Sequence, residues 1–222
     1  MTRFRDRELA GRELAEALGR HAGERLAVIG LPRGGVPVAA EVARVLGAPL
    51  DVRIVRKIGA PGQPELGLGA VAEGGHIYLD RASVAQVGAT DEHLSRTLER
   101  ERREVEDRVR RLRGARRAVE LRDRTVVLVD DGIATGGTVL AAVRAIRDER
   151  PRAVVLAAPV AARASIATLE REVDDVVVLQ TPADLRAVGF WYEDFGQVSD
   201  EEVERLLEAA CGARGRDERA TP

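Results

Sequence analysis

The stretch Val126-Val127-Leu128-Val129-Asp130-Asp131-Gly132-Ile133-Ala134-Thr135-Gly136-Gly137-Thr138 decides the fold. Its four leading apolar residues read as a strand buried on both faces, as in a parallel sheet. Two adjacent carboxylates end that strand, and a turn rich in Gly and Thr follows. Residues 139–147 then place apolar side chains at helical spacing. The unit is therefore strand, acidic pair, glycine loop, helix.

Each part has a physical use. Gly132, Gly136 and Gly137 allow a close approach that a Cβ would forbid. Thr135, Thr138 and the free N–H groups of the first helical turn can surround a phosphate, and the helix dipole favours the anion. Two carboxylates beside a phosphate would repel it, so they suit sugar hydroxyls, directly or through hydrated Mg²⁺. A phosphate cradle beside paired carboxylates fits a ribose 5-phosphate. A nucleotide-binding P-loop is a poor match: Gly132 and Gly137 have its glycine spacing, but Thr138 stands where lysine is required. The loop carries no G-x-G-x-x-G dinucleotide fingerprint. The bland alternative is a solvated turn at the end of a strand.

These thirteen residues resemble the phosphoribosyl pyrophosphate (PRPP) motif of the type I phosphoribosyltransferases. The resemblance implies that Asp130 and Asp131 contact the ribose 2′- and 3′-hydroxyls. It also implies that the loop Ala134, Thr135, Gly136, Gly137 and Thr138 binds the 5′-phosphate. Hypoxanthine-guanine members carry Asp at the position of Ala134, so this chain departs from their pattern and follows the adenine-type enzymes there.

The 222 residues suffice for one α/β domain with a proper core. A net charge of −2 gives no general drive towards nucleic acid or membrane. The sequence contains no run of 18 apolar residues, and Met1 to Asp6 is too polar for a signal peptide. The single Cys211 excludes a disulfide framework, and His21, His76 and His93 are scattered. A soluble cytoplasmic enzyme is the expectation. Lys57 is the only lysine among 35 basic residues. It is either an accident of composition or a place where a compact ammonium is wanted.

Working outward from the motif, residues 5–20 read as an amphipathic helix, and Leu26 to Leu31 as a strand. The strand runs into Pro32-Arg33-Gly34-Gly35, and a helix follows to about Leu46. Read alone, this loop is an ordinary turn or a second anion site. Beside the central motif, it resembles the family's pyrophosphate loop, where a non-proline cis peptide often occurs. Asp51 to Val55 reads as a strand ending in Arg56-Lys57. Residues 58–69 hold two prolines and four glycines, which predicts an irregular, mobile loop. The resemblance makes it the family's catalytic loop. Arg56 and Lys57 then join Arg33, Gly34 and Gly35 around the pyrophosphate, and Glu65 corresponds to a loop glutamate of the adenine-type enzymes.

Residues 70–73 and 76–79 look like a strand pair, and residues 85–113 like one long amphipathic helix. That helix is rich in arginine, but its interleaved glutamates indicate a solvated, ion-paired face rather than a nucleic-acid surface. Two further strands, 153–158 and 176–179, complete a βαβαβ pattern. Four of the six aromatic residues lie between Phe190 and Phe195. They form either a hydrophobic plug or, in the family's hood, a stacking surface in which Phe190 or Trp191 meets the acceptor base. Ser199 caps a final helix to about Ala210.

The expected fold is a Rossmann-like parallel sheet flanked by helices, with a small hood from the chain ends. One domain spans 1–211, with its core at about 24–180 and its hood at 1–23 and 181–211. Residues 212–222 form a flexible tail. The resemblance implies a Mg²⁺-dependent transferase that passes the phosphoribosyl group of PRPP to a nucleobase and releases pyrophosphate. The metal lies mainly on the pyrophosphate, near Asp130 and Asp131, with no strong set of protein ligands. Also implied are a homodimer and the absence of nucleic-acid or membrane partners. The alternative is a non-catalytic PRPP-sensing regulator on the same fold. A sugar hydrolase would lack any identifiable nucleophile.

Overall fold

The structure is a computed structural model that describes residues 3–114 and 116–217; the side chains of Pro64, Glu65 and residues 213–217 lie outside the description. Five parallel strands make the main sheet: β1 (Leu26–Gly30), β2 (Leu50–Val52), β6 (Thr125–Val129), β7 (Ala153–Val160) and β8 (Asp175–Gln180). Their order is β2-β1-β6-β7-β8, so the chain reverses direction across the sheet between β1 and β6. Every residue of β1 and β6 is buried. Strand alternation sends Val127 and Val129 to one face, where they join Leu14, Val36, Val42 and Leu207. Val126 and Leu128 face the other side, with Val139, Val143, Ile146 and Leu169. Both faces being covered explains why the strand sequences are continuously apolar.

Helices α1 (Arg7–Ala17), α2 (Gly35–Leu46), α5 (Gly137–Asp148) and α6 (Arg163–Leu169) supply those covers. The Asp6 side chain caps α1 by accepting the Leu9 N–H at 2.8 Å. Helix α1 packs closely on α2 at Gly11, where a Cβ would lie 2.7 Å from the Val38 carbonyl oxygen.

Three expectations are corrected. Residues 51–55 are not one strand. β2 ends at Val52, and after the buried Arg53 the chain enters β3 (Val55–Ala60) of a second sheet, which places Arg56 and Lys57 inside β3. Residues 58–69 are not irregular: β3 pairs antiparallel with β4 (Gln63–Ala72), which pairs with β5 (Ile77–Leu79). The glycines permit this pairing. Gly62 has the positive φ (+70°) of the connecting turn, and the register shifts at Gly59. At Gly69 a Cβ would lie 2.1 Å from the Tyr78 carbonyl oxygen, so β5 can approach only a glycine. Residues 85–113 divide into α3 (Arg81–Val87) and α4 (Asp91–Arg113). Gly88 ends α3 with φ +63°, and the Thr90 hydroxyl caps α4 by accepting from His93 N–H at 3.2 Å. The last helix, α7 (Asp200–Asp217), begins at the expected Ser199 cap and runs past Ala210.

A buried charge network fixes the point where the chain leaves the main sheet. Asp51 accepts from Arg53 Nη1 at 2.9 Å, from Arg113 Nε at 3.2 Å and from Val119 N–H at 2.8 Å. Arg53 also reaches Glu149, and Arg113 reaches both Glu73 and the Val52 carbonyl. Removing Arg113 leaves the buried Asp51 and Arg53 with one charge partner fewer and little solvent. Arg113→Ala is therefore expected to cost about 3 kcal/mol of unfolding free energy, read as a lower urea midpoint. A midpoint equal to wild type would show that the network does not hold the two sheets together.

Candidate active site

The site forms where two adjacent strands end. The loop after β1 (residues 31–34) and the loop after β6 (residues 130–136) are in contact. Leu31 N–H donates to the Val129 carbonyl at 2.9 Å. A Cβ on Gly34 would lie 2.1 Å from Asp131 Oδ2, and one on Gly35 would lie 2.7 Å from the Val129 carbonyl oxygen. Glycine at both positions is what lets the two loops touch. The peptide bond between Pro32 and Arg33 is cis.

The loop after β6 is held from below and open above. Ile133 is buried, donates from its N–H to the Val160 carbonyl at 2.9 Å and accepts from Ala162 N–H at 2.8 Å. Ser165 Oγ donates to the Ala134 carbonyl at 2.5 Å. Gly136, with φ +76°, turns the chain into α5. Ala134, Thr135, Gly137 and Thr138 are exposed at the helix N-terminus, where first-turn N–H groups have no intrahelical partner.

The acidic pair is half-buried rather than open at a strand end. Burial pushes the Asp130 carboxyl well above the usual carboxylate range, and the charge of Asp131 adds to the effect. Asp131 is also raised by burial, against the pull of Arg7. Arg7 Nε donates to Asp131 Oδ2 at 2.8 Å, and Arg7 Nη1 donates to the Gly196 carbonyl at 2.9 Å. The guanidinium sits 3.9 Å from the centre of the Phe195 ring. Tyr192 OH donates to the Asp131 carbonyl at 2.6 Å; burial and then the Asp131 charge push that phenol upward, so it remains a donor. None of these partners was legible from spacing: Arg7 lies 124 residues from Asp131.

A segment from each chain end covers the pair. Phe4 N–H donates to the Trp191 carbonyl, and Glu193 N–H donates to the Phe4 carbonyl, both at 2.8 Å. Trp191 is 9% exposed and packs with Phe4, Ala10, Val160 and Tyr192, which is the arrangement of a plug. Phe190, 61% exposed, is the most open aromatic of the cluster. Gly132 lies under Val188, whose Cγ1 would be 2.3 Å from a Cβ there.

Arg56 and Lys57 line a cleft of about 530 Å³ together with Thr138, Gly59, Thr97 and Glu101. The structure thus brings β3, α4 and the start of α5 around one space. Arg56 Nε donates to Glu101 at 3.0 Å, and the Lys57 stem runs beside Gly67, where a Cβ would lie 3.4 Å from Cδ. Arg33 points away from this cleft, towards Asp200 at 3.8 Å. Glu65 lies outside the described side chains. Among the described residues no three His, Cys, Asp or Glu side chains are grouped to hold a metal. No described helix is long and apolar enough to cross a membrane.

The raised carboxyl has a consequence for pH. An acid with a folded pKa above its unfolded value of about 3.9 binds its proton more readily in the fold, so stability falls as pH rises through the folded value. Asp130→Asn, which keeps the shape of the neutral form, is expected to melt higher than wild type at neutral pH. Its advantage should shrink as pH falls towards 4, in melting curves recorded across that range. A pH-independent difference would mean that Asp130 is not destabilised by ionising in the fold.

Comparison with known proteins agrees with this architecture. Residues 2–194 match the family model described as the phosphoribosyl transferase domain. A Mycobacterium tuberculosis protein named "Putative phosphoribosyl transferase" is 43% identical over 210 residues, 95% of this chain and 47% of its own length. The chain therefore spans about half the length of the curated relatives it matches. The crystal structure of TT1426 from Thermus thermophilus superposes with a TM-score of 0.84 at 48% identity, covering 93% of this chain and 98% of that one. With its parallel five-stranded sheet and the family match over nearly its whole length, the chain belongs to the phosphoribosyl transferase domain family.

Proposed function

We propose that this domain transfers the 5-phosphoribosyl group of PRPP to a ring nitrogen of a nucleobase-like acceptor, releasing pyrophosphate. One observation carries the reading: the glycines of the loop after β1 lie directly against the acidic pair that opens the loop after β6. That contact supports reading the loop as an anion site beside two carboxylates and the N-terminus of α5.

In this reading Thr135 to Thr138 hold the 5′-phosphate, with N–H groups aimed at the anion. The ribose hydroxyls donate to the Asp130–Asp131 pair. As the C1–O bond breaks, the electron pair leaves with pyrophosphate while the acceptor nitrogen bonds to C1. Lys57 and Arg56, on the cleft wall, face the growing negative charge on the leaving group, and Arg33 reaches it by turning from Asp200. The acceptor nitrogen gives its proton to solvent or to the departing pyrophosphate.

The donor set for Mg²⁺ is sparse, because Arg7 already engages Asp131 and Asp130 packs against Gly35. Asp130 and Asp131 would be its nearest carboxylates, and the substrate's own pyrophosphate oxygens its main ligands. Bound there, Mg²⁺ would neutralise charge on the leaving group. Phe190 is the better stacking partner for an acceptor ring, since the Trp191 ring is committed to the hood core.

The test is pyrophosphate release from PRPP with Mg²⁺ and a panel of nucleobases. Lys57→Ala is expected to lower kcat about a hundredfold, the effect of removing one preorganised cation. Lys57→Arg should rescue only part of the loss, because its planar fork differs from an ammonium. Near-normal kcat and PRPP affinity in Lys57→Ala would place the leaving group elsewhere. PRPP binding without turnover on any acceptor would favour the sensing role.

A further inference from the structure

A second group of charges stands beside the loop after β1 and joins Arg33 to residues not assigned above. Asp200, at the start of α7, lies among three guanidiniums: Arg33 Nη1 at 3.8 Å, Arg108 Nη2 at 3.7 Å and Arg111 Nη1 at 3.1 Å. One carboxylate sets a single negative charge against three cations, and of the three only Arg111 lies within hydrogen-bond distance of it. Its Oδ1 is buried without a hydrogen-bond partner, and so is Arg108 Nε. Burial, together with the neighbouring charges of Arg33, Arg56 and Arg111, pulls the Arg108 guanidinium below its usual range. Arg108 also lines a narrow gap of about 20 Å³ with Pro32 and Thr138, one residue from each phosphate-type loop. That gap shares Val55 and Thr138 with the larger Lys57 cleft.

We infer that Arg108 and Arg111 of α4 extend the loop after β1 into a diphosphate cradle with Arg33, and that Asp200 is the counter-ion a diphosphate displaces. This rests on the phosphoribosyl reading and adds to it a determinant of pyrophosphate affinity. The arrangement follows from electrostatics. Excess positive charge at a partly buried place destabilises the empty protein unless an anion is near. A carboxylate on the adjoining helix meets that need, and it competes with any ligand of the same sign.

The experiment measures Mg²⁺-pyrophosphate binding to the full chain by calorimetry, with ribose 5-phosphate as a parallel ligand. Asp200→Asn should tighten pyrophosphate binding about tenfold, a modest gain because water and salt reach the site. It should also lower the melting temperature of the empty protein and enlarge the rise on adding pyrophosphate. Arg111→Gln, at a largely exposed position, should weaken pyrophosphate binding several-fold without loss of fold. Ribose 5-phosphate affinity should stay unchanged in both variants, since Thr135 to Thr138 are intact. If Asp200→Asn binds pyrophosphate no more tightly than wild type while ribose 5-phosphate still binds, Asp200 is a structural partner and the cradle is wrong. If wild type binds neither ligand, the phosphoribosyl reading falls, and this inference falls with it.

Discussion

Gly34 and Gly35 lie within reach of the acidic pair only because neither carries a Cβ. Much of the molecule follows from that contact. It needs β1 and β6 side by side, in the register that pairs Gly30 with Val129. It needs both strands to end at one level, so that a chain reversal across the sheet leaves a crevice there. It also needs the sheet covered on both faces, because strands so apolar cannot face water. The helices on either side are the packing consequence of a site built at neighbouring strand ends.

Placing two carboxylates in that crevice creates an electrostatic problem which the chain ends answer. Asp131 receives Arg7 from α1, and Arg7 is itself held by the Gly196 carbonyl and the face of Phe195. Tyr192 donates to the Asp131 carbonyl from the other terminus. The cover therefore serves as a charge partner as well as a lid of apolar side chains. The Asp130 side chain accepts the Asp131 N–H, and burial together with the Asp131 charge outweighs that bond and the pull of Arg7.

The chain's preference for arginine makes sense in the same terms. Arg53 and Arg113 each spread several donors over carboxylates and backbone carbonyls at the junction of the two sheets. A planar fork with five donors can satisfy such a buried set, and an ammonium cannot match its geometry. Lys57 stands apart from that pattern on the wall of the cleft.

The sequence by itself determined the strands of the main parallel sheet and the order of the loops that follow them. These are local signals: apolar runs of strand length, glycines at turns, and helical spacing directly after them. Residues 58–69 misled because glycine and proline mark irregular backbone in isolation, yet Gly59 and Gly69 serve a bulge and a close strand approach that only pairing reveals. The long charged stretch reads as one piece because Gly88 and Thr90 act through cap geometry, not through hydrophobic period. Tertiary structure alone decided which charges meet. Arg7 on Asp131, Arg113 on Asp51 and three arginines on Asp200 join residues 62 to 167 positions apart. Such pairs carry no periodicity and no fixed spacing, because Coulomb attraction depends on distance in space and is indifferent to separation along the chain.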